Sequence, residues 1–395
     1  MKKIKEIPFN LPFMVGKELD HIRQAVELGQ LSGDGPFTHR CHEWLQKRLG
    51  CERVFLTHSC TAALEMAAIL ADLGPGDEVI MPSFTFVSTA NAVVLRGAVP
   101  VFVDIRSDTL NIDECLIEQA ITPRTKAIVA VHYAGTACAM EEIMAIATKH
   151  DLLVIEDAAQ ALMSQYKGRF LGTIGHFGCF SFHETKNIIS GEGGALLIND
   201  SKFIERAEII REKGTNRSCF FRGQVDKYTW VDVGSSFLPG ELIAAFLYGQ
   251  LEHADRIINA RQQICIHYFE SLRPFEDLGF LRLPFCPDDC RNNGHIFYIL
   301  TKSLYERTRM IDHLNSRGIG AVFHYVPLHS SPAGRKFGVV ANSMKITEDV
   351  SDRILRLPLF FSMKISDVNR VVAAVREFYT AGITSGNEQP QERVR

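Results

Sequence analysis

The sequence lacks an apolar run of the roughly 18 residues that a membrane-spanning helix requires. No sustained apolar stretch follows the basic start at residues 1–5, so we expect no signal peptide. Basic residues are not in excess either, since 43 Lys and Arg stand against 46 Asp and Glu. The composition therefore argues against a membrane protein or a nucleic-acid-binding protein, and any positive charge that binds an anionic ligand must be local.

Cysteine pairs of the kind that bind zinc are also missing. Of the ten cysteines, only Cys286 and Cys290 lie close together, and no second pair completes a four-ligand site. The others are scattered through apolar segments. This pattern predicts buried, reduced thiols, as in a cytoplasmic protein, and no metal site.

Apolar, β-rich runs alternate regularly with helical patterns between about residues 50 and 200. The run at 127–131 is Ala-Ile-Val-Ala-Val, which is typical of a strand buried on both faces of a sheet. Such alternation predicts an α/β fold with a mostly parallel sheet flanked by helices. The last two runs are separated by a loop, which indicates an antiparallel pair. The predicted strands are 53–57, 78–81, 99–105, 127–133, 152–156, 179–182 and 195–198.

The chain is predicted to consist of a large domain at 1–245, a small α+β domain at 246–380, and a polar, disordered tail at 381–395. A long helix from about 242 to 272 connects the two domains. The small domain is predicted to contain strands at 296–301 and 321–325 and helices at 306–317 and 367–378.

Ligands of open α/β sheets bind at the carboxyl ends of the strands. Reactive residues that directly follow a strand are therefore the best candidates for a functional site. The segment 152–160, LLVIEDAAQ, ends an apolar strand in two carboxylates. A buried carboxylate such as Asp157 needs a cation or hydrogen-bond donors. The protonated pyridine nitrogen of pyridoxal 5'-phosphate (PLP) is one such partner. A helix N-cap or a metal ligand is the alternative.

Lys186 lies between an aromatic strand and the glycine-rich return at 191–194. Partial desolvation and cationic neighbours would lower the pKa of such a lysine and make it nucleophilic. Ser181, just upstream, offers a hydroxyl to a phosphate. The alternative is a solvated loop lysine beside a tight turn.

The segment 57–65 turns from a strand into a helix through small residues, which leaves free backbone amides that can bind an anion. Helix capping by Ser59 or Thr61 is the plainer explanation. Phe86 follows another strand and could stack on a planar ring or pack in the core. A phosphate turn, a stacking aromatic, a strand-end aspartate and a lysine, in this order, together favour PLP.

These residues resemble the nucleotide-sugar aminotransferases of the DegT/DnrJ/EryC1 type, a branch of the fold-type I PLP enzymes. The resemblance extends from about residue 7 to 379 and implies PLP as cofactor and a homodimer as the assembly. The matching segments are 59–64, 82–89, 103–104, 156–160, 180–186, 191–194 and 324–329.

The resemblance assigns a cofactor contact to eight residues. Lys186 would be the lysine that binds PLP covalently, and Asp157 the partner of the pyridine nitrogen. The other six are Phe86 (stacking on the ring), Gln160 (near the 3-hydroxyl), Ser181 with the backbone of Thr61 and Ala62 (the phosphate), and Ser236. Ser236 occupies the place where many relatives have an asparagine that reaches the phosphate in the other subunit.

Within the family, the runs 31–35, 183–187, 212–217 and 221–228 resemble members that aminate C4 of a dTDP-linked 4-keto-6-deoxy sugar, with L-glutamate as donor. Arg217, His324 and His329 are candidates for contacts with glutamate or pyrophosphate. Surface charge and buried core histidines are the respective alternatives. The spacing of the two histidines could also suggest a metal, but no carboxylate or cysteine lies beside them.

Two other functions remain open. A dehydratase of the same fold carries histidine in place of the lysine, so Lys186 argues against it. A PLP-binding regulatory protein would bind the cofactor without releasing 2-oxoglutarate.

Overall fold

The computed structural model describes residues 6–384, and within this range the chain forms an α/β protein. The strands are β1 (Arg53–Thr57), β2 (Glu78–Pro82), β3 (Val99–Val103), β4 (Thr125–Val131), β5 (Leu153–Asp157), β6 (Gln165–Tyr166), β7 (Arg169–Phe170), β8 (Phe177–Ser181), β9 (Gly194–Ile198), β10 (Cys290–Arg291), β11 (Phe297–Leu300), β12 (Val339–Val340) and β13 (Ile354–Leu357).

The α-helices surround these strands. They are α1 (Glu18–Glu27), α2 (Pro36–Leu49), α3 (Cys60–Leu70), α4 (Val87–Val94), α5 (Glu114–Ile117), α6 (Met140–Lys149), α7 (Ile204–Arg211), α8 (Arg217–Phe221), α9 (Glu241–Leu251), α10 (Ala254–Asp277), α11 (Leu304–Ser316), α12 (Pro332–Phe337), α13 (Lys345–Arg353) and α14 (Ile365–Thr384). None of the helices in the described residues is long and apolar enough to cross a membrane.

An eight-stranded sheet forms the centre of the molecule, in the order β1-β9-β8-β5-β4-β2-β3-β12. Strand β9 runs antiparallel to both β1 and β8, and the other neighbours are parallel. The predicted mostly parallel sheet, with its antiparallel pair, is therefore confirmed. Every residue of β4 except Lys126 is buried, because apolar clusters pack against both faces of the sheet.

The parallel strands bring their carboxyl ends to one edge of the sheet. At this edge β5 ends in Asp157, β8 ends in Ser181 and β4 ends in Val131. Asp157 is paired with Val131 on one side and with Cys179 on the other, so it lies at the middle of the sheet. Segments that are far apart in sequence therefore meet around it.

A second, smaller region packs against this edge. Its strands β11 and β13 form an antiparallel pair, and α10, α11 and α14 cover them around a separate apolar core. Its strand β12 joins the large sheet beside β3, and Ile7 near the start of the chain bridges to Ile319. The domain boundaries at 245/246 and 380/381 stay a prediction.

Two predicted elements are wrong in detail. The helix predicted at 242–272 is two helices, α9 and α10. Between them the amide of His253 bonds to the carbonyl of Gln250, which forms a tighter turn than an α-helix has. The Glu252 carboxylate in this turn pairs with His21 of α1 at 2.8 Å. The predicted strand 321–325 is an isolated bridge between Val322 and Arg356, and beyond it the chain enters the cavity described below.

The predicted tail begins inside a helix. Helix α14 extends to Thr384, so the backbone at 381–384 is helical. The rest of that predicted tail, residues 385–395, lies outside the described residues.

Candidate active site

A cavity of about 640 Å³ lies at the carboxyl ends of the strands, between the two regions. It is lined by residues of both regions and of the N-terminal segment. These are Phe9, Asn10, Ser59, Cys60, Thr61, Leu64, Thr85, Phe86, Ser88, Val131, Asp157, Ala159, Gln160, Ser181, His183, Thr185, Lys186, Glu192, Arg261, His295, Ile296, His324, Tyr325, Arg356, Leu357 and Leu359.

Lys186 lies on the cavity wall, in the loop that joins β8 to β9. Its side chain is half-buried, and its amide donates to the His183 carbonyl at 2.9 Å, which holds the loop in a turn. Burial lowers the pKa of the Lys186 amine, and this effect outweighs the opposing influence of Cys60 and Asp157. The structure thus brings the expected nucleophilic lysine into the cavity.

Asp157 is buried at the end of β5 and presents its carboxylate to the cavity. One oxygen accepts a hydrogen bond from Thr89 Oγ1 at 2.7 Å, and the other accepts one from the Ala159 amide at 3.2 Å. Thr89 is itself hydrogen-bonded to Thr85 at 2.8 Å. These neutral partners fix the orientation of the carboxylate and leave its charge available to a cationic ligand.

The neighbouring carboxylate, Glu156, points away from the cavity into the protein. It bonds to His132 at 2.9 Å and accepts hydrogen bonds from the amides of Gly172, Ile174 and Gly175. Burial alone would raise the pKa of Glu156, but the hydrogen bonds and His132 lower it. Glu156 therefore anchors the end of β5, and Asp157 is the one that faces the ligand.

The turn before α3 forms the end of the cavity wall beside the N-terminus of that helix. Ser59 caps the helix, because its Oγ accepts a hydrogen bond from the Ala62 amide at 3.1 Å. Thr61 lies at the wall and its hydroxyl pairs with Ser88 at 2.7 Å. Ala62 does not line the cavity, and its amide is engaged by the cap, so the predicted phosphate contact of Ala62 is not supported. Ser181 and Thr61 remain as hydroxyl donors at this end.

Gln160 and Phe86 both line the cavity, as expected. The side-chain Oε1 of Gln160 accepts a hydrogen bond from the backbone amide of Ala134 at 2.6 Å. The side-chain Nε2 of Gln160 donates to the Tyr325 hydroxyl at 3.0 Å. Phe86 is 57% exposed, which is unusual for a phenylalanine and leaves its ring free to stack on a ligand.

Among the predicted substrate contacts, the structure brings His324 to the cavity. Its ring Nδ1 is bonded to the Tyr133 hydroxyl at 3.0 Å. Burial, followed by the charges of Arg356 and Lys186, lowers the pKa of His324 to about 2. His324 is therefore neutral near pH 7 and acts as a hydrogen-bonding group, not as a cation.

Three predicted contacts lie outside the cavity of this chain. His329 ties its loop to the end of β2, since its ring Nδ1 and its amide both bond to Ser83 Oγ, at 2.7 and 3.0 Å. Arg217 is exposed on α8, within 3.7 Å of Glu212. Ser236 is exposed and bridges to Glu212 in the backbone. Neither of the two exposed residues lines the cavity of this chain.

The cavity also contains charged and titratable residues that the sequence did not reveal. Buried His295 bonds to Asn187 at 2.9 Å, and burial lowers the pKa of its ring well below the usual value. Buried Arg261 donates to the carbonyls of Gly294, His295 and Leu359. Arg356 on β13 also lines the cavity. All of these come from the second region, where no motif marks them.

The chemistry of the cavity fits PLP. It combines an amine of lowered pKa, a buried carboxylate, an exposed aromatic ring and hydroxyls beside a helix N-terminus. These groups match the aldehyde, the pyridine nitrogen, the ring face and the phosphate of this cofactor.

Comparison with known proteins agrees with this chemistry. A sequence model of the DegT/DnrJ/EryC1/StrS aminotransferase family matches residues 13–376. The spore coat polysaccharide biosynthesis protein SpsC of Bacillus subtilis is 36% identical over 382 residues, which cover 94% of this chain and 96% of that protein. The UDP-4-amino-4-deoxy-L-arabinose–oxoglutarate aminotransferase of Shewanella sediminis is 32% identical over 382 residues, which cover 94% and 97%.

A solved structure shows the same fold. The crystal structure of the aminotransferase TlmJ from Streptoalloteichus hindustanus superimposes with a TM-score of 0.87 at 30% identity, and the match covers 96% of this chain and all of that one. The chain therefore belongs to the DegT/DnrJ/EryC1/StrS aminotransferase family and is a PLP-dependent sugar aminotransferase.

Proposed function

We propose that this sugar aminotransferase transfers the amino group of L-glutamate to C4 of dTDP-4-dehydro-6-deoxy-D-glucose. The products are dTDP-4-amino-4,6-dideoxy-D-galactose and 2-oxoglutarate. This is the reaction of the 4-aminotransferase of enterobacterial common antigen synthesis, which the runs 31–35, 183–187, 212–217 and 221–228 resemble. A relative whose name specifies a 4-amino sugar and oxoglutarate supports both C4 and the glutamate/2-oxoglutarate pair.

The observation that supports the transamination chemistry of the proposal is the placement of Lys186 and Asp157 in one cavity. The sugar and the position of the amine follow from the resemblance. PLP, when bound, supplies an electron sink for the carbon next to nitrogen. The Lys186 amine is the base that removes the proton from that carbon of glutamate. Asp157 keeps the pyridine nitrogen protonated. In the second half-reaction Lys186 returns a proton to C4 of the sugar.

The proposal predicts a single product geometry, because Lys186 delivers its proton from one side of the cavity. Incubation with glutamate and dTDP-4-keto-6-deoxyglucose should place the amine at C4 in the axial orientation. The proton NMR spectrum of the product checks this, since an axial nitrogen gives a small coupling between H3 and H4.

Other products would change the assignment in defined ways. A large H3–H4 coupling means an equatorial amine and a sister activity with gluco stereochemistry. An amine at C3 would show that dTDP-4-dehydro-6-deoxy-D-glucose is not the substrate for amination at C4, and would contradict the proposal. If the protein binds PLP but releases no 2-oxoglutarate from glutamate, L-glutamate is excluded as the amino donor.

We also propose that the active form is a homodimer in which Ser236 and Arg217 approach the partner's cavity. The segment around them exposes large aromatic side chains, of which Trp230 is 76% exposed, Phe221 69% and Tyr228 52%. A cluster of this kind is typical of a surface that another protein covers.

A charged residue in this cluster should therefore disrupt the dimer. Trp230→Asp is expected to sediment as a monomer at micromolar concentration and to lose most of its activity. Leu278→Asp is the matched control, since Leu278 is 70% exposed but lies at the end of α10 in the second region. A wild-type protein that is monomeric and fully active would contradict the proposal.

We place this reaction in the cytoplasm. All ten cysteines are free, although Cys286 and Cys290 lie near each other. Unpaired thiols in this number favour a reducing compartment.

A further inference from the structure

Arg356 is a half-buried cation that faces the cavity and leaves most of its hydrogen-bonding capacity unused among the described residues. It lies on β13, opposite Tyr298 on β11, and it lines the cavity. One guanidinium nitrogen donates to the Phe323 carbonyl at 3.3 Å, while the buried Nε has no hydrogen-bond partner in the structure. Within residues 6–384, no carboxylate lies within 4 Å of this guanidinium.

The surroundings of Arg356 are aromatic and neutral. The guanidinium lies 4.8 Å from the ring centre of Phe9. The phenols of Tyr133 and Tyr325 interact with its charge and raise the pKa of Arg356. Burial lowers the pKa of Arg356, but a guanidinium stays charged near neutral pH. A partly desolvated charge without a counter-charge is unfavourable, so an anion that enters the cavity gains a favourable partner in Arg356.

Arg356 lies close to the reacting end of the cavity. The positive charge of Arg356 lowers the pKa of the Lys186 amine, although less than burial does. The same charge lowers the pKa of His324. In an amino acid, a carboxylate is bonded to the carbon from which Lys186 removes the proton. In a nucleotide sugar that is aminated at C4, the diphosphate is attached at C1, across the hexose ring.

We propose that Arg356 binds a carboxylate of the amino donor and so sets the preference of the first half-reaction for an amino acid. The planar guanidinium can donate two parallel hydrogen bonds to a carboxylate, which fixes the orientation of the donor as well as its affinity. The inference rests on the proposed use of L-glutamate as donor. It also accounts for a half-buried, cavity-facing arginine that has no acidic partner among the described residues.

The test is a calorimetric titration of the PLP-loaded protein with glutarate, a dicarboxylate that has no amine to react. Arg356→Gln should weaken glutarate binding by about 30-fold or more, the effect of removing one partner of a buried ion pair. Arg356→Lys keeps the charge and loses the planar arrangement of donors. Its affinity for glutarate should lie between those of the wild type and Arg356→Gln. Arg335→Gln is the matched control, because Arg335 is exposed on α12 and the substitution removes the same charge.

A parallel titration with dTDP separates the two possible anions. The variants should bind dTDP as the wild type does, and their yellow colour should show that PLP is still bound. Loss of dTDP binding with normal glutarate binding would overturn the inference in favour of the diphosphate. Equal glutarate binding by wild type and Arg356→Gln, or no binding by either, would also overturn it. The glutarate result involves no sugar, so it stands apart from a failure of the proposed sugar substrate.

Discussion

Replacing Lys186 with alanine is expected to lower kcat for amino transfer by about 10³-fold or more. The substitution removes both the amine that joins the cofactor and the base that moves the proton, and acid–base catalysis alone contributes about 10²–10⁴-fold. The rate of 2-oxoglutarate release from glutamate measures the loss. Lys202→Ala is the control, since Lys202 is a surface residue that is paired with Asp200.

Borohydride provides an independent check on the same residue. It should bleach the yellow wild-type protein and leave the cofactor attached to the peptide that contains Lys186, because hydride reduces a carbon–nitrogen double bond to a stable amine. Peptide mapping that finds the adduct on a different lysine would remove Lys186 from the site.

Asp157→Asn is expected to retain PLP but to lose turnover by about 10²–10³-fold, the usual cost of removing one preorganised electrostatic partner. An amide can still accept a hydrogen bond from Thr89, so the fold of the site should persist. It cannot keep the pyridine nitrogen protonated, so the charge that develops in the transition state loses its stabilisation. Steady-state kinetics with glutamate measure the effect.

Asp312→Asn is the control for this substitution, because Asp312 is exposed on α11, outside the cavity. It should have wild-type kinetics. Near-normal turnover of the Asp157 variant would exclude Asp157 from the chemistry, and loss of PLP binding would make it a residue that holds the cofactor.

The cofactor end of the cavity could be predicted because its residues follow strands that are visible in the sequence. Asp157 and Ser181 end β5 and β8, and Lys186 lies five residues beyond β8. Parallel strands bring their carboxyl ends together whatever the loops do, so strand recognition alone places these residues side by side. Ala62 is the exception, because the amide expected to bind phosphate is engaged by the Ser59 cap.

The other end of the cavity could not be predicted in this way. Arg356 and His295 lie in the second region, and they reach the cavity only because that region packs against the end of the sheet. The position of His329 could not be predicted either, because its ring bonds to Ser83 and does not line the cavity. Both outcomes depend on contacts between residues more than 100 positions apart, which no local pattern records.

The order of strands in the central sheet has a consequence for how the protein folds during synthesis. Among the described residues, strand β1 pairs only with β9, about 140 residues later, and β3 has a free edge until β12 is made. Pairings this distant form slowly, and an apolar strand with an open edge can associate with other chains meanwhile. A nascent chain that ends before residue 194 leaves β1 unpaired. We therefore expect such fragments to aggregate, whereas synthesis past β12 gives both β1 and β3 the partners that they have in the finished sheet.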